Sequence, residues 1–200
     1  RTLTTPCSSS NSTSLLRDMG VPPCIVSEKF CVQNKSMLSH SIFGENMAKI
    51  LKSVLGLAGE YAVASEICRR GFHAQITFGR WKNTDVLAVN IDNGKTVLVE
   101  VKTKQGREWP GVKGIKGKNR VQILVDFQGK SDLDRPDFYI LDEDFWKKYL
   151  NNIRGDLKEL REDENRYIPI WPDNYRGVVL RVEDVRNYKE RWDILINKLR

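Results

Sequence analysis

The chain has few histidines and cysteines and no long apolar run, and this scarcity narrows the classes of protein to which it could belong. Its 200 residues include two histidines and four cysteines, and no two cysteines have the Cys-x-x-Cys spacing of a zinc site. No apolar run approaches the roughly 20 residues of a membrane span, so a soluble protein without a membrane partner is expected. Three cysteines precede residue 46 without forming a disulfide framework, so a reducing cytoplasm is the expected location.

Positive charge is concentrated in the middle of the chain. The net charge is +7, and residues 47–129 carry 14 basic and 7 acidic side chains. Residues 1–46 contribute +1 and residues 130–200 contribute −1. A polyanion such as nucleic acid is the natural partner of such a segment, and a basic protein without that partner is the alternative.

The first 46 residues differ in composition from the remainder. They are rich in Ser, Thr and Asn, and they lack the apolar core with a positive flank that marks a secretory signal. We predict a flexible extension there, or a segment upstream of a true start at Met37 or Met47, with a transit peptide as the weaker alternative. Residues 47–200 are predicted to form one domain, with a core over 57–150 and a helical and extended segment over 151–200.

Two runs dense in Val and Leu, over 85–91 and 96–103, flank Asn93-Gly94. Asn-Gly between apolar runs predicts a β-hairpin with a type I′ turn. Pairing across that turn brings Asp85 towards Glu100. Because side chains alternate along a strand, Glu100 and Lys102 share one face. Two carboxylates and an ammonium therefore converge at one end of the hairpin.

This group suggests hydrolysis of a phosphodiester. Glu100 interrupts an apolar strand, and a buried charge must be paired or coordinate a metal. Carboxylate oxygens suit Mg²⁺, which lowers the pKa of bound water, and Lys102 could orient that water. A surface ion pair is the alternative for an isolated Glu-x-Lys. A small phosphate substrate is disfavoured because the basic residues nearby suit an extended polyanion.

The pattern resembles the PD-(D/E)XK nuclease superfamily, which has the restriction-endonuclease-like fold. The resemblance is carried by Asp85 and by Glu100-Val101-Lys102, with Thr84 where the motif has Pro. Upstream, Gly59-Glu60-Tyr61 and the following Arg70-Gly71-Phe72 resemble the first helix of the Holliday junction resolvase-like and uncharacterised endonuclease branches.

The resemblance implies an α/β fold with a mixed central sheet flanked by helices. It also implies an endonuclease that acts on DNA, branched or double-stranded, with Mg²⁺ as cofactor and Mn²⁺ as a substitute. Asp85, Glu100, the Val101 carbonyl and Glu60 would hold the metal, and Lys102 would complete the catalytic set. Members of this superfamily can lose activity, so a nucleic-acid-binding module is the alternative. The sequence does not decide between a monomer and a homodimer.

Basic residues surround the proposed site in sequence. The glycine-rich segment over 104–120 is predicted to be a mobile loop that holds phosphates. Arg80 and Lys82 lie in the turn before Asp85 and could also contact the phosphate backbone of a nucleic acid. The alternative is that they are solvated neighbours of a packed Trp81. The candidate contacts in the segment are Lys104, Arg107, Lys113, Lys116, Lys118 and Arg120.

Periodicity predicts the remaining elements. A helix over about 45–70 is either broken at its glycines or approaches a neighbour closely at Gly59, and Glu66 is predicted to be solvated. Strands are predicted over 72–78, 121–127 and 137–141, and Gln122 is a weak candidate for the site. Further predictions are a helix over 143–152 capped by Asp142, helical turns over 156–165, an extended 167–172 and a helix from about 182.

Overall fold

The computed structural model describes residues 49–77 and 83–200, so the predicted extension over 1–46 lies outside the described residues. None of the helices in these ranges is long and apolar enough to cross a membrane. The helices are α1 (Lys52–Arg69), α2 (Glu143–Asn152), α3 (Val182–Val185) and α4 (Asp193–Leu199). The strands are β1 (His73–Ile76), β2 (Val86–Val89), β3 (Thr96–Lys104), β4 (Glu108–Val112), β5 (Gly114–Ile115), β6 (Arg120–Asp126), β7 (Asp137–Leu141), β8 (Glu159–Asp163), β9 (Arg166–Ile170) and β10 (Val178–Arg181).

The central sheet has the order β1-β2-β3-β6-β7 within the described part of the chain. β3 pairs antiparallel with β2 and parallel with β6, while β1 and β7 pair antiparallel at the two edges. The long strand β3 therefore lies in the middle of a mixed sheet. This confirms the predicted α/β architecture, in which helices flank a mixed central sheet.

The two faces of the sheet bury separate apolar clusters. Val99 and Val101 of β3 pack with α1 and α4 on one face. Leu124 of β6 packs on the other face with α2 and the two smaller sheets, β10-β4 and β5-β9-β8. Since side chains alternate along β3, Glu100 and Lys102 lie on this second face.

The hairpin is present, but its predicted type I′ turn is wrong. Gly94 has a φ of 70°, whereas Asn93 is not among the residues with positive φ. The Asn90 N–H donates to the Lys95 carbonyl at 2.9 Å, so a four-residue loop joins β2 to β3. The side-chain amides of Asn90 and Asn93 donate to the Leu199 carbonyl at 2.9 and 3.0 Å. The longer loop is thus attached to the end of α4 by two side-chain hydrogen bonds.

α1 is one continuous helix that approaches β3 closely at Gly59, the second of the two predicted alternatives. A Cβ at Gly59 would lie 3.0 Å from Thr103 Cβ and would overlap its hydroxyl. The prediction for Glu66 is wrong, because this residue is 5% exposed. Its carboxylate accepts hydrogen bonds from Arg70 and Arg135, which explains how a buried charge is tolerated.

The basic segment is not the predicted mobile loop. It folds as β4 and β5, and Trp109, Val112 and Ile115 are buried against the second face of the sheet. The indole N–H of Trp109 donates to the Val125 carbonyl at 3.2 Å. Burial of these apolar side chains outweighs the flexibility that the intervening glycines confer on the unfolded chain.

The C-terminal half matches the predictions in part. α2 begins at the predicted position, where the Asp142 side chain accepts from the Phe145 N–H at 3.1 Å. The helical prediction over 156–165 is wrong, because β8 pairs there with β9, the predicted extended segment. The final helix is interrupted by a 3₁₀ turn, Arg186–Tyr188, and by Glu190 with a φ of 54°.

Candidate active site

Asp85 and Glu100 lie close together at one end of the hairpin. The register of β2 with β3 ends at the pair Val86 and Val99, and the Asp85 N–H also donates to the Val99 carbonyl at 2.9 Å, which holds Asp85 beside the residue that precedes Glu100. The Val101 N–H donates to Asp85 Oδ2 at 2.7 Å and fixes that carboxylate. Glu100 is 1% exposed. The structure thus brings the two predicted carboxylates together.

Lys102 lies next to Glu100 on the same face of β3. Its Nζ is 2.9 Å from Glu100 Oε1, and its side chain is 38% exposed. Glu100 Oε1 accepts no hydrogen bond in the part of the chain that the structure describes. The Lys102 ammonium is therefore close to Glu100 Oε1 but is not oriented to donate a hydrogen bond to it. The lone pairs of Oε1 are available to another ligand.

Arg166 is a site residue that sequence analysis missed. From β9 it donates an Nη2–H to Glu100 Oε2 at 3.0 Å, and its side chain is 14% exposed. β9 is brought there by antiparallel pairing with β5, where Ile115 lies opposite Arg166. No local signal marks this residue, because it lies 66 positions from Glu100.

Burial perturbs the two other carboxylates of the site. It raises the pKa of Asp85, an effect opposed by the hydrogen bond from Val101 and by the charge of Lys102. The pKa of Glu60 is also raised, first by burial and next by the charge of Asp85. Glu60 follows the close contact between α1 and β3 at Gly59, which places its carboxylate within electrostatic range of Asp85 and Lys102.

Gln122 lies beside Glu100 on the neighbouring strand β6, in parallel register. It is fully buried, and its Nε2 donates to the Lys113 carbonyl at 3.1 Å. Its Oε1 is buried without a partner among the described residues. An amide oxygen without a donor next to a carboxylate is an environment that favours a cation or a donor group.

The oxygen donors fit a hard divalent cation. Magnesium takes one or two carboxylates and leaves other positions for water and phosphate, and Asp85 with Glu100 matches that requirement. Across residues 49–77 and 83–200, however, no three His, Cys, Asp or Glu side chains are grouped closely enough to hold a metal. Glu60 is thus near the two carboxylates without joining them in a coordination group.

The predicted phosphate contacts fall into three groups. Lys104 and Arg120 are 3% and 7% exposed, so their prediction as surface contacts is wrong. Lys104 Nζ pairs with Asp126 at 2.8 Å and lies over the Trp109 ring. Arg120 donates to the Asn83 carbonyl at 3.1 Å, and burial lowers its pKa. The second group is exposed or half-buried and consists of Arg107, Lys113, Lys116 and Lys118. The third group, Arg80 and Lys82, lies outside the described residues.

No protein-family model matches the chain, and no curated protein matches it. Among solved structures, the bacterial homing endonuclease I-Ssp6803I is 16% identical, with 73% of this chain and 93% of that one covered and a TM-score of 0.41. Hjc from Archaeoglobus fulgidus, a Holliday junction resolvase, is 14% identical over 64% of this chain and 93% of its own, with a TM-score of 0.32. These two proteins are an endonuclease and a junction resolvase, the kinds of enzyme that the sequence resemblance names.

Proposed function

We propose that this chain is a metal-dependent endonuclease that hydrolyses DNA phosphodiester bonds. The observation that carries the proposal is the placement of Asp85 close to Glu100, with the Lys102 ammonium 2.9 Å from Glu100. Burying Glu100 and half-burying Asp85 at one end of an apolar hairpin is unfavourable unless cations compensate the two carboxylates. A site for a divalent cation supplies a functional reason for this arrangement.

Mg²⁺ is the proposed cofactor, with Mn²⁺ as a substitute, and when bound it would lower the pKa of water and neutralise charge on the phosphate. Asp85, Glu100 and the Val101 carbonyl would hold it, and Glu60 would tune the site through its charge. Lys102 would orient the attacking water, because its half-exposed ammonium lies at the boundary between Glu100 and solvent.

The proposed substrate, DNA, suits the charge of the segment around the site. Arg107 and Lys118 are exposed, and Lys113 and Lys116 are half-buried, on a segment that carries the net positive charge of the chain. Lys116 is paired with Glu162 in an exposed ion pair, which contributes little stability and can be exchanged for a phosphate. Phosphate contacts of this kind make binding dependent on salt.

A non-catalytic nucleic-acid-binding module is the second candidate, and a specific observation favours it. Lys102 lies close to one oxygen of Glu100, and Arg166 donates to the other. Two cations therefore already compensate this carboxylate without a metal. A chain with this arrangement could keep the fold for binding alone.

Incubating the full chain with plasmid, linear, single-stranded and branched DNA, and with RNA, in Mg²⁺, Mn²⁺ or EDTA tests the proposal. We expect metal-dependent cleavage of DNA that falls at least about 100-fold in Lys102→Ala and Asp85→Asn. Lys95→Ala is the matched control, since this exposed lysine lies in the loop at the other end of the hairpin. If wild type and variants bind DNA equally and none cleaves it, the binding module is the function. Cleavage of RNA in place of DNA would reassign the substrate.

A further inference from the structure

Arg166 ties the candidate metal ligand Glu100 to a different sheet. Its guanidinium donates to Oε2 at 3.0 Å, and β9 holds it there through pairing with β5 and β8. Charge-assisted hydrogen bonds of this type are stronger than those between neutral groups, and Glu100 is almost fully buried. The carboxylate that would bind a divalent cation is therefore already engaged by a cation of the chain.

The charges of the site nearly cancel without any added ion. Asp85 interacts electrostatically with Lys102, Glu100 and Arg166, and Arg120 interacts with Glu100, Arg166 and Glu164. Glu60 joins the group through Asp85 and Lys102. Four side chains are acidic and three are basic: Glu60, Asp85, Glu100, Glu164, Lys102, Arg120 and Arg166. A divalent cation added to this group leaves an excess of one positive charge, which a phosphate of a polyanion would neutralise.

We propose that Arg166 is a positioning residue that couples cofactor binding to DNA binding, an inference that rests on the proposed nuclease function. Arg166 holds Glu100 Oε2 while the site contains no divalent cation, and it donates to a DNA phosphate when Glu100 is engaged by the cofactor. Carboxylate and phosphate both accept the planar fork of a guanidinium, so one side chain serves both partners. Its 14% exposure leaves an edge accessible to solvent.

The proposal makes two quantitative statements about Arg166→Gln. Because the competing cation is removed, Mn²⁺ should bind this variant about tenfold more tightly than wild type in the absence of DNA, which corresponds to about 1.4 kcal/mol. In wild type, uncleavable phosphorothioate duplex DNA should increase Mn²⁺ affinity, and this increase should shrink towards onefold in the variant, since the coupling is reciprocal.

Titration calorimetry and the free-Mn²⁺ electron paramagnetic resonance signal measure both quantities at pH 8. Arg161→Gln is the matched control, because Arg161 lies on the adjacent strand β8 and its guanidinium pairs with exposed Glu159. We expect wild-type Mn²⁺ affinity and wild-type coupling in this control. Thermal unfolding in EDTA reports whether each variant is folded.

Unchanged or weaker Mn²⁺ affinity in a folded Arg166→Gln protein, with undiminished coupling, would show that Arg166 only joins β9 to β3. If Arg166→Gln does not fold, Arg166→Lys replaces it, because an ammonium keeps the charge but lacks the fork. Arg166→Lys should then show reduced coupling, and wild-type coupling overturns the inference. A wild-type chain that binds Mn²⁺ and cleaves DNA, but whose variants behave identically, rejects this inference alone. A wild-type chain that binds no divalent cation rejects it together with the proposed function.

Discussion

Replacing Gly59 with alanine tests the contact that places α1 against the hairpin. The added methyl carbon would lie 3.0 Å from Thr103 Cβ and 3.1 Å from its Cγ2, and it would overlap Oγ1. These distances are shorter than ordinary carbon contacts, so the helix or Thr103 must move. At Gly56, three residues earlier in the same helix, nothing lies within 4 Å of an added Cβ.

Two opposing terms set the magnitude. Alanine is favoured over glycine inside a helix by about 0.8–1 kcal/mol, so Gly56→Ala should raise the free energy of unfolding by about that amount. Overpacking a well-filled contact costs about 1–3 kcal/mol. Gly59→Ala should therefore unfold at lower urea concentration than Gly56→Ala, with a difference of about 1–3 kcal/mol between them.

The double variant Gly59→Ala/Thr103→Ala separates steric overlap from other causes. Removing Oγ1 and Cγ2 leaves only the 3.0 Å contact with Cβ, so part of the lost stability should return. Gly59→Ala/Thr103→Ser keeps the hydroxyl and should recover less. If Gly59→Ala is as stabilising as Gly56→Ala in urea unfolding, the close approach of α1 to β3 is refuted. The position of Glu60 would then lose its structural basis.

Two further predictions concern buried charges outside the site. Hydrogen bonds from Arg135 are the main cause that lowers the pKa of Glu66 from 4.5 to about 2. This contribution to stability is complete above pH 4.5 and is lost as pH falls towards 2, with an upper bound of about 3 kcal/mol. Urea unfolding across this range should show a smaller loss in Arg135→Leu, and an equal loss in both proteins would contradict the assignment. Lys104→Ala should cost about 3–5 kcal/mol because it leaves Asp126 without its buried partner. Lys116→Ala, which breaks an exposed pair, should change the same unfolding free energy by less than about 1 kcal/mol.

The centre of the candidate site could be predicted because its geometry is local in sequence. Alternation along β3 fixes the shared face of Glu100 and Lys102, and antiparallel pairing brings the start of β2 to the part of β3 that holds Glu100. The turn type was wrong, and a two-residue Asn93-Gly94 turn would pair Val86 with Val101, whereas the four-residue loop pairs Val86 with Val99. A shift of two residues keeps every side chain on its face of the sheet, so the carboxylates converge in either register.

Arg166 could not be predicted, because pairing between distant segments positions it. The charged residues before it favoured a solvated helix, whereas β8 and β9 pair in a three-stranded sheet with β5. The segment that forms β4 and β5 was wrongly predicted to be a mobile loop for a related reason. Its glycines indicated mobility, but Trp109 and Ile115 find apolar partners that only the folded chain provides. The same burial removes Lys104 from the surface.

The bonds from Asn90 and Asn93 to the Leu199 carbonyl bear on synthesis at the ribosome. They join residues 109 and 106 positions apart, and Leu195 and Leu199 of α4 belong to the cluster that covers one face of the hairpin. During translation, β2 and β3 emerge long before α4 can cover them. A nascent chain thus exposes an apolar sheet face until α4 leaves the exit tunnel, and chaperone contacts are expected at this stage.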